Sequence, residues 1–265
     1  MGKLVTFWSP YQGMAKVTSS MCAIVGMLGI RYPEYEIAIS HITPESIALE
    51  KRLDAGTDIE GKKEIYERAG VSALVLNGMQ AVLTSEKIRR CAFPLIIKSL
   101  YLYPAYGAEY AKDIVFSLLT EYLKQEFSLV FLDMECGWKE HSIEYMKASD
   151  FVVIVLPQEP DCFEMKFLEH MKFLEEKNWI FLIGGYLGKS IFTAKHILKK
   201  AEGRWKEKFA GVVPMNTAFF DAMMQGKTLE FLLKNQLVRK NEENYEFMVQ
   251  TQKTAEYIKR NIFVS

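Results

Sequence analysis

The sequence predicts an α/β protein built on a mostly parallel, twisted sheet with helices on both faces. Short apolar runs rich in β-branched and aromatic residues recur along the chain, and segments of helical length separate them. Strands that are apolar throughout are typical of parallel sheets, because crossover helices bury both faces. No linker, repeat or low-complexity segment interrupts the pattern, so we expect one domain over residues 1–265.

Seven apolar segments are predicted as strands. The first, "KLVTFWS", mixes β-branched and aromatic residues, and "FSLVFLDME" is apolar until it ends in Asp133. The strand at the end of 94–105 is closed by Pro104. In chain order the predicted strands are 3–9, 35–42, the end of 94–105, 127–135, 150–160, 179–185 and 209–216.

Helices are predicted between the strands. The strongly periodic "AEYAKDIVFSLLTEYLKQE" is the clearest, and the more polar segment 45–70 is predicted as mixed helix and loop. The terminal helix has a modest apolar face and carries Glu256, which favours a docked core helix over a membrane-targeting one. The predicted helices are 16–32, 70–80, 108–126, 140–149, 162–177, 191–203, 217–235 and 244–262.

The amino-acid composition limits the kinds of partner that we expect the protein to bind. Lys and Arg together number 33, as do Asp and Glu, which argues against a general attraction to nucleic acid or anionic membrane. The four cysteines form no C-x-x-C pair, so we expect reduced, partly buried thiols. The first apolar segment is too short for a signal peptide, and no apolar run approaches about 18 residues. We therefore expect a cytoplasmic protein.

Three segments resemble the ParA/MinD family of P-loop ATPases, and the resemblance extends over nearly the whole chain. "PYQGMAKVT" follows the first strand, where the family has its deviant Walker A loop, G-K-G-G-x-G-K-T-T. "FLDMECG" resembles the family's Walker B and switch II segment, and "FAGVVPMNTAFFDAMMQGKTLEFL" resembles its late proline turn. Within the family, the chain looks most similar to the divergent TadZ/CpaE-type members associated with tight-adherence (Flp) pilus assembly.

The resemblance implies a site for ATP or ADP with Mg²⁺ at the carboxyl ends of the strands. In such a loop, backbone N–H groups hold phosphate oxygens, a lysine bridges the β- and γ-phosphates, and a hydroxyl binds Mg²⁺. Thr18 and Asp133 are the implied metal-binding residues. The implied nucleotide-binding residues are Gln12, Gly13, Met14, Ala15, Lys16, Val17, Thr18, Asp133 and Pro214.

Four departures from the family pattern indicate weak or no ATP hydrolysis. Tyr11 stands where the family has the lysine that reaches across a dimer, and Val17 stands where it has the Mg²⁺-binding hydroxyl. Thr18 lies about 100° further round the helix, so it could replace that hydroxyl only in a shifted loop register. "SHITPES" lacks the family's switch I aspartate, and the adenine-reading asparagine corresponds to Gly184 or Gly185.

These residues lead us to predict a degenerate ParA/MinD-like positioning or assembly factor. Its partners would be proteins of an assembly or secretion machinery, it could form a homodimer, and it would reach membranes only through those partners. Two alternatives stay open. One is an active ATPase with a rearranged loop that uses Thr18 for Mg²⁺. The other is a nucleotide-free α/β interaction module in which Tyr11 and Met14 fill the phosphate position.

Three further segments are candidates for function. "IGGYLGKS" resembles a phosphate loop, with Lys189 and Ser190 as its binding residues, although its first glycine is one residue too close. Asp133 and Glu135 would share one face of an extended strand, as paired carboxylates of a hydrolase could. The apolar side chains of segment 217–232 either pack against the sheet or form a protein-binding face; they include Phe219, Phe220, Met223 and Met224.

Overall fold

A computed structural model describes residues 1–55, 59–80, 83–108, 112–163, 171–174, 177–200 and 203–264. Its centre is an eight-stranded sheet in the order β3-β4-β2-β5-β1-β6-β7-β8. Every neighbouring pair is parallel except β3 and β4, which are antiparallel. The strands are β1 (Lys3–Trp8), β2 (Ile37–His41), β3 (Phe93–Pro94), β4 (Leu100–Tyr103), β5 (Leu129–Asp133), β6 (Phe151–Leu156), β7 (Trp179–Tyr186) and β8 (Phe209–Pro214).

Helices follow most of the strands, as the sequence predicts. They are α1 (Val17–Arg31), α2 (Ala48–Glu50), α3 (Ile59–Arg68), α4 (Gly70–Gln80), α5 (Ser85–Cys91), α6 (Lys112–Leu118), α7 (Lys124–Glu126), α8 (Glu140–Ala148), α9 (Ala194–Lys200), α10 (Thr217–Met224), α11 (Thr228–Lys234) and α12 (Tyr245–Val264). Lys51–Ala55 and Leu119–Leu123 are π-helical, and Pro160–Phe163, Met171–Leu174 and Gly203–Lys208 are 3₁₀-helical.

The predicted α/β fold is confirmed, and the seven predicted strands all lie in the sheet. Alternate residues of β1 enter two separate cores: Leu4 and Trp8 pack on one face, and Val5 and Phe7 on the other. This alternation is the two-residue period of a strand with helices on both faces. The short antiparallel strand β3 was not predicted, because two residues carry no periodicity.

Two predicted helices differ from the structure. The segment 217–235 is not one helix but two, because Gly226 adopts a left-handed conformation with φ +68° and ends the first. In the segment 162–177, Cys162 and Phe163 belong to a 3₁₀ turn and Met171–Leu174 form another. The remaining residues of that segment, 164–170 and 175–176, lie outside the described residues, as do 109–111 of the predicted helix 108–126.

The terminal helix α12 is a docked core helix, as predicted. It packs against α1 and β8 and buries Phe247, Ala255 and Ile258 in the same core as α1. Within the described residues, no helix combines the length and the apolar character that crossing a membrane requires. All four cysteines are free, and only Cys136 is not fully buried, which agrees with the predicted thiols.

Close packing of α1 on α11 predicts a large effect of shortening one side chain there. Leu232 is fully buried, and a Cβ added at Gly26 of α1 would lie 2.4 Å from its Cδ1 atom. We expect Leu232→Ala to lower the free energy of unfolding by about 2–5 kcal/mol, because it leaves a cavity between the helices. Urea unfolding measures this. Leu237→Ala is the control, since Leu237 is 93% exposed and its loss should cost under about 0.5 kcal/mol.

Candidate functional site

The loop between β1 and α1 lies at the carboxyl edge of the sheet, where ligands of such sheets bind. β1 is central, with β5 and β6 as its parallel neighbours. Two loop residues adopt left-handed backbone conformations, Gly13 with φ 75° and Lys16 with φ 57°. Lys16 is the N-cap of α1, and its side chain makes no capping hydrogen bond. The helix N-terminus therefore lacks a side-chain acceptor, and such an N-terminus favours anions.

The first turn of α1 is joined to the end of β5 by one short hydrogen bond. The Thr18 hydroxyl donates to a carboxylate oxygen of Asp133 over 2.6 Å. Burial raises the pKa of Asp133, and the Thr18 hydrogen bond and the nearby His41 and Arg52 charges lower it only in part. A hydroxyl and a carboxylate so placed are oxygen ligands of the kind that Mg²⁺ prefers.

The hydroxyl that faces Asp133 does not come from the residue directly after Lys16. Lys16 is left-handed and lies outside the helix, α1 begins at Val17, and its second residue, Thr18, bonds to Asp133. Val17, which the alignment set in the hydroxyl position, is buried in the core beneath α1.

Tyr11 is fixed to its own chain. Its hydroxyl donates to the backbone carbonyl of Cys162 over 2.9 Å, and its ring packs against the core. The Tyr11 side chain is therefore engaged within the protein, whereas Met14 is half-exposed. Gln12 and Gly13 are exposed beside Met14, whereas Ala15 is buried.

The segment after β5 is hydrogen-bonded to the end of β1. Gly137, which has φ 95°, donates its N–H to the Ser9 carbonyl over 2.8 Å and accepts a hydrogen bond from the Trp8 indole over 3.1 Å. The backbone N–H of Gly137 is thus engaged within the protein. Glu135 contacts Lys139 and His141, whereas Asp133 contacts Thr18, so the two carboxylates have separate partners.

A buried ion pair occupies the end of β2. His41 Nε2 lies 2.6 Å from Glu50 Oε1, and the same oxygen accepts the backbone N–H groups of Ala105 and Tyr106. Burial lowers the pKa of His41, but the Glu50 carboxylate and Asp133 raise it more, so the net shift is upward. Burial raises the pKa of Glu50, and protonated His41 outweighs that and lowers it.

Sequence reasoning missed Glu50. It follows His41 by nine residues, in a segment predicted only as mixed helix and loop, and the chain has to fold back to bring the two side chains together. The one available signal was a histidine at the end of a buried strand, which requires a polar partner. An acid therefore does lie near the place where the family has its switch I aspartate, but it is bonded to His41.

Glycines at the end of β7 leave no room for a side chain that reads a base. A Cβ at Gly184 would lie 2.2 Å from the carbonyl oxygen of Ala15, and one at Gly185 would lie 3.2 Å from Lys16 Cγ. Gly185 also has φ +62°. The loop after β1 approaches β7 so closely that a side chain at position 184 would collide with its backbone.

A cavity of about 130 Å³ lies beside the loop. Its lining includes Lys16, Ser19 and Arg52, together with Pro214 and residues of α10. Pro214, which the sequence predicts to be a site residue, therefore shares a cavity with Lys16. Thr18 and Asp133 are joined to each other and do not line this cavity.

The apolar side chains of α10 divide between the core and the surface. Phe219 and Met223 are buried and pack in the core, whereas Phe220 and Met224 are 49% and 43% exposed. All four line the cavity beside the loop. One face of the helix is thus core, and the other is apolar surface.

The second candidate phosphate loop, 183–190, is not supported. β7 continues to Tyr186, and Ser190 lies in a turn in which its N–H donates to the Leu187 carbonyl. The next helix, α9, begins only at Ala194. A phosphate loop requires a helix N-terminus directly at Lys189 and Ser190, and that geometry is missing because three residues intervene.

The fold and the edge of the sheet define a class of protein: the chain has the α/β fold of the MinD/ParA ATPases. The cell division ATPase MinD of Pyrococcus furiosus superposes with a TM-score of 0.69 at 15% identity, covering 98% of this chain and 99% of that one. A ParA family ATPase of Chlorobium tepidum superposes with a TM-score of 0.69 at 12% identity, covering 96% and 98%.

A third similar structure is the septum site-determining protein MinD of Pyrococcus horikoshii, complexed with Mg-ADP. It superposes with a TM-score of 0.63 at 13% identity and covers 97% of this chain and 95% of that one. No protein-family model matches the chain, and no curated protein matches it. At these identities the likeness establishes the fold, and function has to be argued from the site.

The close approach of β7 to the loop predicts that Gly184→Ala is destabilising. The added Cβ would collide with the backbone carbonyl of Ala15, which cannot move without displacing the loop. We expect a loss of about 1–3 kcal/mol in the free energy of unfolding, as in other overpacked sites. Thermal and urea unfolding measure it. Gly188→Ala is the matched control, because a Cβ there meets nothing within 4 Å; equal effects of both variants would contradict the prediction.

The His41–Glu50 pair predicts a pH-dependent contribution to stability. The folded pKa of His41 is raised, so the native state holds a proton that the unfolded chain releases as the pH rises. We expect the stability advantage of the wild type over Glu50→Gln to be largest in mild acid. It should shrink as the pH rises above about 6.5 through the folded pKa of His41.

Urea unfolding at a series of pH values from 5.5 to about 9 measures this difference. The exposed His196 supplies the control, and His196→Asn should leave the pH dependence unchanged. A wild-type advantage that stays constant over the whole range would show that His41 keeps one protonation state in the folded protein.

Proposed function

We propose that this chain is a ParA/MinD-like nucleotide-binding protein that positions or assembles protein partners and hydrolyses ATP weakly or not at all. The observation that carries the proposal is the Thr18–Asp133 hydrogen bond beside the N-terminus of α1. It places a hydroxyl, a carboxylate and helix N–H groups at one edge of the sheet, and Tyr11 stands where the family pattern has a second lysine.

The residues present fit ATP or ADP with Mg²⁺. Thr18 and Asp133 would supply oxygen ligands for Mg²⁺, and the backbone of residues 12–17 would hold phosphate oxygens at the helix N-terminus. Pro214 and α10 would form the apolar part of the cavity beside the loop. Bound Mg²⁺ would neutralise phosphate charge. The similar MinD structure complexed with Mg-ADP supports this choice of ligand.

The proposed weak hydrolysis is explained by three groups that are already bonded to other parts of the protein. Phosphoryl transfer depends on positioned positive charge and on donors aimed at the transferring group. Tyr11 is neutral and bonded to the Cys162 carbonyl, and the Gly137 N–H is bonded to Ser9. Glu50, an acid at the end of β2, is paired with His41. None of these three groups is available to promote attack by water.

Protein partners are proposed from the surface beside the cavity. Met215, Phe220 and Met224 are each between 40% and 50% exposed there, and methionine and phenylalanine are adaptable anchors at protein interfaces. We propose partners in an assembly or secretion machinery, with Flp pilus assembly as the candidate pathway, in a cytoplasmic protein that reaches membranes only through them. A homodimer through the loop face is part of the same proposal.

An active ATPase is the second candidate, and the Thr18–Asp133 hydrogen bond favours it. Thr18 is bonded to Asp133, so the hydroxyl that this alternative needs for Mg²⁺ is in place. Turnover measurements separate the two candidates, because both predict nucleotide binding and only one predicts hydrolysis.

Nucleotide titrations of wild type and Thr18→Ala test the proposal. Calorimetry should show Mg²⁺-dependent binding of ADP and ATP. We expect affinity to fall about tenfold or more in Thr18→Ala, because a hydrogen bond to a charged group contributes about 1.5–3 kcal/mol. Thr120→Ala is the matched control, since that exposed hydroxyl bonds only to the nearby Ser117 carbonyl.

Two results would contradict the proposal. Absence of binding by either nucleotide, with and without Mg²⁺, would leave an interaction module without nucleotide. Rapid ATP turnover that is lost in Lys16→Ala would establish the active ATPase instead. Phosphate release measured on both proteins decides between these outcomes.

A further inference from the structure

The segment after β2 brings an arginine into the cavity beside the loop. Arg52 lies in the π-helical turn Lys51–Ala55 and lines the cavity together with Lys16. The Thr228 hydroxyl at the start of α11 donates to the Arg52 backbone carbonyl over 2.6 Å and so anchors the turn. π-Helical turns are rare in proteins, and those that occur are often found at functional sites.

The Arg52 guanidinium is incompletely bonded within the described residues. Its Nη1 atom donates to the Ala48 carbonyl over 2.7 Å, but its Nε atom is buried without a hydrogen-bond partner. Glu50 is close in sequence, yet its Oε1 atom is bonded to His41 and its Oε2 atom is also buried without a partner. Arg52 and Glu50 are therefore not paired with each other.

The cavity itself has the charge and the donors of an anion site. Lys16 and Arg52 line it, and no aspartate or glutamate does. The Ser20 hydroxyl also lines it and is buried without a partner. Buried donors without acceptors cost free energy, and an anionic ligand would satisfy them. Arginine suits phosphate in particular, because its planar fork can donate two parallel hydrogen bonds.

We propose that Arg52 joins Lys16 in binding the phosphate groups of the nucleotide. Lys16 directly precedes α1 and supplies one positive charge to the cavity. Arg52 supplies a second positive charge from a different segment that lines the same cavity. This inference rests on the proposed function, which supplies the ligand, and it adds a residue that the loop motif does not contain.

Binding of Mg-ADP and of inorganic pyrophosphate to four proteins tests the proposal. We expect Arg52→Gln to bind both ligands at least tenfold more weakly than wild type, and Arg52→Lys to recover part of the affinity. Arg68→Gln is the matched control, because Arg68 is highly exposed, pairs only with Glu64 four residues away and lies outside the cavity. The wild type should also lose affinity with added salt more steeply than Arg52→Gln. Thermal unfolding checks that each variant is folded.

The outcomes separate this inference from the proposed function. Equal binding of Mg-ADP by wild type and a folded Arg52→Gln overturns the role of Arg52 and leaves nucleotide binding intact. Arg52-dependent binding of pyrophosphate without binding of any nucleotide supports the phosphate site and overturns the proposed function. Absence of binding of both ligands by the wild type overturns both.

Discussion

The hydrogen bond between Thr18 and Asp133 links the first turn of α1 to the end of β5 at the carboxyl edge of the sheet. α1 starts at Val17, directly after Lys16, which lies outside the helix in a left-handed conformation. The loop lies so close to β7 that only glycine fits at position 184. These contacts together limit the space that is left for a ligand.

Many polar groups at this edge are bonded to other groups of the same protein. The Tyr11 hydroxyl, the Gly137 N–H and the Glu50 carboxylate each have a partner in the same chain. Such contacts stabilise the edge, since a buried polar group costs free energy unless it is hydrogen-bonded. The same contacts remove the groups that could act on a bound phosphate. The weak hydrolysis that we propose would follow from this loss of available groups.

The sequence predicted the fold well, because its strands are apolar runs that are easily recognised. Buried parallel strands must be apolar along their whole length, and each of the seven predicted segments contributes to the sheet. Helix ends were harder, since a single glycine at position 226 divides an otherwise periodic segment into two helices. The single-domain organisation stays a prediction.

By itself the sequence determined the α/β fold, the position of the loop after β1, and the acid that ends β5. Local patterns of apolar and turn-forming residues suffice for these features. The tertiary structure alone decided that Thr18 rather than Val17 faces Asp133, and that Glu50 and Arg52 come to the same edge. These contacts join residues that are distant along the chain, and their geometry depends on how α1, β7 and the π-helical turn pack together.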